Sequence, residues 1–156
     1  MNFELILPEH NADLAGLIRR ILKVHSLDVP GTAYFDESLD HLSDYYAEPG
    51  RAYYVLVEGR NLIGGIGLSE LPDLQKCCEM QKLYLDEKYR GQGMGRKMVN
   101  HIEHAALQMG YQRMYLETHT NLEAAVHLYE KCGFHQIPKP DFVIHSTMNR
   151  FYLKEL

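Results

Sequence analysis

The residue types best suited to chemistry form a glycine-rich loop, Arg90-Gly91-Gln92-Gly93-Met94-Gly95-Arg96, between a predicted strand and a predicted helix. The first backbone N–H groups of a helix have no partners within it, and the positive end of the helix dipole lies beside them. Glycines leave these groups accessible and permit positive φ angles. The loop therefore predicts a cradle for a pyrophosphate group.

The charge around this loop also favours an anionic ligand. Segment 82–97 carries five basic and two acidic side chains, a local charge of +3. The whole chain has a net charge of −5, so the remainder carries −8. Because general nucleic-acid binders need net positive charge, we expect a phosphorylated small molecule and no nucleic-acid partner.

Two widespread phosphate-binding loops do not match. The dinucleotide pattern G-x-G-x-x-G, counted from Gly91, requires glycine where Arg96 stands; counted from Gly93, it requires glycine where Met98 stands. The P-loop pattern G-x-x-x-x-G-K-[ST] fails because Arg90 replaces its first glycine and Arg96 its lysine. Neither nucleotide-binding fold is supported.

Length and composition describe the protein that carries the loop. The 156 residues are 46% apolar and 24% charged, which is typical of one globular domain spanning 1–156. Three cysteines without a C-x-x-C pair favour reduced thiols. No segment approaches the roughly 18 consecutive apolar residues of a membrane helix. These features predict a cytoplasmic protein with no metal site and no membrane partner.

Periodic apolar residues and turn signals place the loop in a layered fold. The elements read β-α-α-β-β-β-α-β-α-β-β, with one helix opening at Pro8 and others over 36–47, 96–109 and 121–132. We expect an α/β (α+β) fold in which helices flank a largely antiparallel central sheet. One crossover, 79–119, joins two parallel strands.

Two segments resemble motifs of the GNAT superfamily of acyl-CoA-dependent N-acyltransferases. The stretch LYLDEKYRGQGMGRKM is similar to motif A, with the R/Q-x-x-G-x-G/A core at Arg90, Gly93 and Gly95. The stretch NLEAAVHLYEKCGF at 121–134 is similar to the helix-and-strand motif that follows it. The resemblance is specific over 79–137, and it implies a GNAT-like fold that uses acetyl-CoA as acyl donor.

The resemblance also implies cofactor-binding residues. Backbone amides of 92–96 receive the CoA pyrophosphate, and the backbone of 83–85 pairs with the pantetheine arm as an added strand does. Asn121 hydrogen-bonds the cofactor or caps the following helix, and both roles can hold together. The full set is Leu83, Tyr84, Leu85, Arg90, Gly91, Gln92, Gly93, Met94, Gly95, Arg96 and Asn121.

The same resemblance implies two catalytic residues. Tyr129 occupies the general-acid position, and a phenol is a suitable proton donor to a departing thiolate; the alternative is plain packing on an apolar helix face. Glu79 aligns with a position at which some members carry a base, and the alternative is a solvent-facing charge at a strand end. Glu117, on the neighbouring strand, is a second choice for the base.

The acyl acceptor is less well defined. Four acidic residues at four-residue steps form either a solvated helix face or an attraction for a cationic amine: Asp36, Asp40, Asp44 and Glu48. His145, in the loop 138–147, is either exposed or in contact with substrate. We expect direct acetyl transfer to a primary amine of a small molecule in a ternary complex. The alternatives are a protein N-terminus or lysine, and a non-catalytic acyl-CoA-binding regulatory module. Superfamily members are often dimers, and the C-terminal strands are the candidate homodimer interface.

Overall fold

Seven strands form one mixed sheet in the computed structural model, which describes residues 1–144 and 146–156. The strands are β1 (Asn2–Leu5), β2 (Ala52–Glu58), β3 (Asn61–Glu70), β4 (Cys77–Leu85), β5 (Arg113–Thr118), β6 (His135–Ile137) and β7 (Arg150–Glu155). Their order across the sheet is β1-β2-β3-β4-β5-β7-β6.

The strand directions confirm the predicted fold class. Every neighbouring pair is antiparallel except β4 and β5, which run parallel. The parallel pairing is short, since only residues 77–79 pair with 113–115. The crossover predicted over 79–119 therefore joins the central strands, and its parallel register covers only the first residues of each.

Helices cover both faces of the sheet. They are α1 (Asn11–Val24), α2 (Leu42–Tyr45), α3 (Met94–Gln108) and α4 (Glu123–Lys131), with 3-10 turns at Pro8–His10, Ala33–Phe35, Glu37–His41 and Glu87–Tyr89. Alternate residues of a strand face opposite sides of a sheet. Accordingly Tyr53 and Val55 of β2 pack with α1, whereas Ala52 and Leu56 pack in the cluster that contains α3. Within 1–144 and 146–156, no helix combines the length and apolar character that a bilayer crossing needs.

The helix predicted at 36–47 forms only in part, over 37–45, and not as one continuous α-helix. Asp36 is extended, with φ −62° and ψ 127°, and a 3-10 turn and the single turn α2 follow it. Two of the four acidic residues spaced four apart form ion pairs with different elements: Asp36 with Lys82 at 2.8 Å and Asp40 with Arg19 at 2.7 Å. Tertiary ion pairs and the buried Leu39 shape this segment, so its four-residue acidic spacing does not produce one continuous α-helix.

Candidate active site

The centre of the sheet is irregular where β4 bulges at Lys82 and Leu83. Across the β3–β4 ladder these two residues stand opposite the single residue Ile66, because the flanking pairs are Gly67 with Gln81 and Gly65 with Tyr84. Lys82 has a φ of +50°, which is uncommon for a residue with a side chain. A bulge of this kind bends the strand that carries it.

Lys82 is held in this conformation by contacts from two sides. Its carbonyl oxygen accepts a hydrogen bond from the Tyr53 hydroxyl at 2.8 Å, and its Nζ lies 2.8 Å from a carboxylate oxygen of Asp36. The bend therefore belongs to the folded structure, and it lies three residues beyond Glu79, the last residue of β4 that pairs with β5.

A cleft of about 1030 Å³ opens where these strands part. Its wall brings together most of the predicted site residues: Glu79, Leu83, Tyr84, Leu85, Arg90, Gly91, Gly93, Met94, Gly95, Arg96 and Tyr129. Glu117, the second choice for a base, also lines it. Elements far apart in the sequence thus converge on one cavity.

Gln92 and Asn121 are not among the residues lining the cleft. The Gln92 side chain donates to the Lys88 carbonyl at 3.1 Å. The Asn121 side chain donates to the His25 carbonyl at 3.1 Å. The expectation that Asn121 caps the following helix is wrong. That helix, α4, begins at Glu123, and its N-cap residue is Leu122, which makes no side-chain cap hydrogen bond. The cofactor contact of Asn121 stays a prediction, and His145 lies outside the described residues.

The glycine loop has the geometry of an anion cradle. Gly91 and Gly93 have φ angles of +74° and +76°, and a Cβ on either would meet nothing within 4 Å, so both border open space. Gly93 is the N-cap of α3, whose first intrahelical hydrogen bond runs from Lys97 N to the Gly93 carbonyl. The preceding N–H groups of this turn are free for a phosphate, and Arg90 and Arg96 add positive charge to the wall. These residues fit the pyrophosphate of CoA.

Gly95 has a different task. A Cβ at this position would lie 2.8 Å from Leu128 Cδ2, closer than van der Waals contact allows. The start of α3 therefore packs directly against α4. This close approach sets Tyr129, the next residue of α4, beside the glycine loop.

The surroundings of Tyr129 are compatible with both interpretations of this residue, packing and proton donation. Its side chain is only 6% exposed and packs edge-on to Phe134, with ring centroids 6.1 Å apart, yet it also lines the cleft. Burial, and secondarily the nearby Cys132 thiol, raise the pKa of Tyr129 well above its ordinary value. The phenol therefore carries its proton at neutral pH and is available as a proton donor.

Two carboxylates complete the cleft. Burial raises the pKa of Glu79, partly offset by a hydrogen bond that its Oε2 accepts from Gln81 Nε2 at 3.0 Å. Burial, and then the charge of Glu79, raise the pKa of Glu117 to about 7. Among the described residues, no group of three or more His, Cys, Asp or Glu side chains is arranged to hold a metal ion.

Sequence reasoning missed the support behind Glu79. The Tyr46 hydroxyl donates to Gln81 Oε1 at 2.9 Å, so Tyr46, Gln81 and Glu79 form a chain. Tyr46 reaches this position because Gly67 leaves room: a Cβ there would lie 2.9 Å from Tyr46 Cζ. The usable signal is glycine at alternate positions, 65 and 67, inside a predicted strand, which marks a close approach.

A mixed sheet that parts beside a glycine-lined helix N-terminus, with a phenol and two carboxyl groups in the opening, is an arrangement suited to acyl transfer from a phosphate-bearing carrier. The chain belongs to the Acetyltransferase (GNAT) family, whose model matches residues 18–134.

Two curated relatives illustrate the membership. The chain is 34% identical over 131 residues to "Uncharacterized N-acetyltransferase YjgM" of Escherichia coli K12, covering 83% of this chain and 78% of that protein. It is 30% identical over 104 residues to spermidine N(1)-acetyltransferase of Vibrio cholerae, covering 63% of this chain and 60% of that protein. The chain is thus an N-acetyltransferase of this family.

Solved structures share the fold at lower identity. A GNAT-family acetyltransferase of Staphylococcus aureus superposes with a TM-score of 0.88 at 21% identity, covering 99% of this chain and 98% of the other. An aminoglycoside 6'-N-acetyltransferase complexed with coenzyme A gives a TM-score of 0.73 at 18% identity, covering 99% and 97%.

Proposed function

We propose that this protein transfers the acetyl group of acetyl-CoA directly to a primary amine of a small molecule in a ternary complex. The observation that carries this proposal is the composition of one cleft. The glycine cradle, Tyr129, Glu79 and Glu117 all line the same cavity, so a donor and an acceptor bound there meet beside both proton-handling groups.

The donor is held by backbone and charge. Free N–H groups of the first turn of α3, with Arg90 and Arg96, receive the pyrophosphate. Beyond Glu79 the edge of β4 that faces β5 has no strand partner among the residues that the structure describes. The backbone groups of 83–85 on that edge are available to the amides of a pantetheine arm, as in the addition of a strand.

The bound donor supplies an activated acetyl thioester, and the chain supplies proton transfers. As the amine nitrogen bonds to the acetyl carbon, the carbon–sulfur bond breaks and Tyr129 gives its proton to the departing sulfur. A carboxylate in the cleft removes a proton from the incoming ammonium, since only the neutral amine has a free electron pair.

A small acceptor is supported by contacts that bridge the cleft region. Asn121, after β5, donates to the carbonyl of His25 at the end of α1. Thr147, before β7, donates to the carbonyl of Pro30 at 2.8 Å. These bridges restrict the room for a polypeptide. The names of similar proteins, which specify spermidine and an aminoglycoside, agree with a small amine.

An amine screen tests this proposal. Wild-type protein with acetyl-CoA is mixed with spermidine, an aminoglycoside, arylalkylamines, and peptides with a free N-terminus or lysine, and free CoA thiol is measured. We expect at least one small amine to release thiol above the rate without acceptor, and Gly93→Asp to abolish that release. Binding of CoA without thiol release for any amine indicates a binding module. Release with peptides alone indicates a protein acceptor.

A further inference from the structure

Two carboxylates face the same part of the cleft from adjacent strands. Glu79 of β4 stands in register with Tyr115 of β5, and Glu117 follows two residues further along β5, on the same face. Both glutamates line the cleft. Like charges held close together in a poorly solvated site do not ionise independently, so the two groups divide their tasks according to their surroundings.

Burial raises the pKa of Glu79, but the Gln81 amide and the charge of Lys82 both act in favour of its anionic form. Its Oε2 accepts a hydrogen bond from Gln81 Nε2, and the other end of the Gln81 amide is fixed by the hydroxyl of Tyr46. The Tyr46 side chain is only 5% exposed and belongs to the core beneath α1. A hydrogen bond donated by a neutral amide favours the charged form of a carboxylate, and the anchored amide restricts its rotation.

Glu117 has weaker support: the Tyr115 hydroxyl beside it lowers its pKa, but that hydroxyl is itself buried without a hydrogen-bond partner among the described residues. Glu117 Oε1 is buried and has no hydrogen-bond partner among residues 1–144 and 146–156. The groups facing it are Glu79 from β4, Tyr115 from its own strand and Lys139 from the segment after β6, and β7 presents the apolar Phe151 at the paired position. Burial and Glu79 raise the pKa of Glu117 to about 7, against smaller lowering by Tyr115 and Lys139.

We propose that Glu117 is the catalytic base that takes the proton of the acceptor, while Glu79 stays charged and holds the ammonium in place. The assignment rests on the proposed function and deepens it. It also reverses the order expected from the sequence, in which Glu79 is the first candidate for the base. Two carboxyl groups whose surroundings separate their proton affinities are the usual basis for dividing such roles.

The step balances as follows. The Glu117 carboxylate takes one proton from the R–NH3⁺ group, and the lone pair left on nitrogen forms the bond to the acetyl carbon. Tyr129 gives its proton to the departing sulfur and becomes a phenolate. The nitrogen then passes its second proton to this phenolate, which restores the phenol. Protonated Glu117 returns its proton to solvent, so each turnover yields one amide, one thiol and one proton.

The pH dependence of kcat/KM, measured with the panel amine of highest turnover, tests the assignment. In wild type, kcat/KM rises with pH through about 7 as Glu117 loses its proton. Glu117→Gln removes this rise and lowers the rate at pH 7 by about 10²–10⁴-fold. Its residual rate increases up to the pKa of the amine, because only free amine then reacts.

Glu79→Gln gives a different signature. The rise of kcat/KM with pH remains but moves to lower pH, because the repulsion that raises the pKa of Glu117 is gone. KM increases, because the charge that holds the ammonium is lost. Glu155→Gln, an exposed glutamate of β7 outside the cleft, is the matched control and keeps the wild-type profile. CoA binding by calorimetry stays intact in all three variants.

Several results overturn the assignment. Loss of the rise in Glu79→Gln together with its retention in Glu117→Gln reverses the roles. If kcat/KM depends on pH as in wild type in both Glu79→Gln and Glu117→Gln, both roles are contradicted, and the proposed acetyl transfer still stands. If no amine is acetylated at all, the proposed function itself is contradicted. Should Glu117→Gln fail to fold, carboxyl ¹³C NMR of the CoA-bound wild type and Glu79→Gln decides: Glu117 must titrate near 7 in wild type and lower in the variant.

Discussion

Tyr129 combines a packed ring with a place in the wall of the cleft. Its ring fills the space beside Phe134, and its hydroxyl end belongs to the wall of the cleft. The same burial that stabilises the ring keeps the phenol protonated. A residue of this kind changes turnover when its oxygen is removed, while the packing of its ring is preserved.

Tyr129→Phe should lower kcat by about 10²–10⁴-fold and leave the affinity for CoA nearly unchanged, because only the proton donor is lost. Steady-state kinetics and calorimetry measure the two quantities. Tyr152→Phe is the matched control, since its hydroxyl contacts Glu130 away from the cleft. Equal turnover in wild type and Tyr129→Phe removes Tyr129 from the mechanism.

At this scale, some site residues could be predicted from the sequence and others could not. Gly93 and Tyr129 are indicated by local sequence motifs, and both line the cleft. Gln81 and Tyr46 are not indicated by such motifs, because their hydrogen bond joins residues 35 positions apart and depends on a bulge and on the absence of a side chain at Gly67. The placement of Glu117 beside Glu79 likewise required the register of parallel strands.

The elements create the site by interrupting their own regularity. β4 stops pairing with β5 after Glu79 and bulges at Lys82, and α3 starts at a glycine with positive φ, so a strand edge and a helix end both become available to a ligand. The sequence predicted the strand and the helix, but placed the helix start at 96, two residues late. Capping by a glycine without a side-chain acceptor gives little local signal.

Gly93→Asp should abolish CoA binding, because a carboxylate would occupy the cradle and repel the phosphates. Gly110→Asp is matched: Gly110 lies just beyond the other end of α3, with φ +89° and nothing within 4 Å of an added Cβ. Both variants should lose about 1 kcal/mol of unfolding free energy from the strained backbone, but only Gly93→Asp should lose affinity in calorimetry. Equal affinities would remove the cradle.

Gly67→Ala and Gly16→Ala should change stability in opposite directions. A Cβ at Gly67 would lie 2.5 Å from Tyr53 Cδ2, whereas one at Gly16 meets nothing within 4 Å. We expect urea unfolding to show a loss of about 1–3 kcal/mol for Gly67→Ala and a gain of up to about 1 kcal/mol for the α1 position. A neutral Gly67→Ala would show that the tyrosine rings are not tightly packed against β3.

At the scale of the whole molecule, positive charge is concentrated around the glycine loop of an acidic chain. A +3 segment surrounds the anion cradle of a chain with net charge −5, and the carboxylates line the same cleft. The fold class and the single parallel crossover follow from periodicity and connection lengths, so they could be predicted, whereas the insertion of β7 between β5 and β6 could not. The conformation of segment 36–47 could not be predicted, because Asp36 and Asp40 form ion pairs with Lys82 and Arg19, which are distant in sequence.

A distant ion pair also sets part of the stability. Arg51 contacts Glu70 through Nε and Nη2 at 2.8–3.2 Å, and this hydrogen bonding lowers the pKa of Glu70 to about 2. Because both side chains are partly exposed, solvent screening limits the contribution to about 1 kcal/mol. A lowered carboxyl pKa stabilises above the unfolded value near 4.3 and loses that contribution as pH falls towards about 2.

Glu70→Gln should therefore lower the free energy of unfolding by about 1 kcal/mol at pH 7, with a difference from wild type that narrows progressively below about pH 4. Urea titrations over this range measure it. A difference that stays constant with pH would show that the charge of Glu70 contributes nothing.

The central claim, that one cleft joins acetyl-CoA to a small amine, is tested most directly by product stoichiometry. Wild-type protein is incubated with acetyl-CoA and the panel amine, and mass spectrometry quantifies acetylated amine and free CoA in the same sample. Equal amounts of the two products, with neither formed by Gly93→Asp, are the predicted result. Free CoA released without acetylated amine, or no product of either kind with any small amine, would contradict the account.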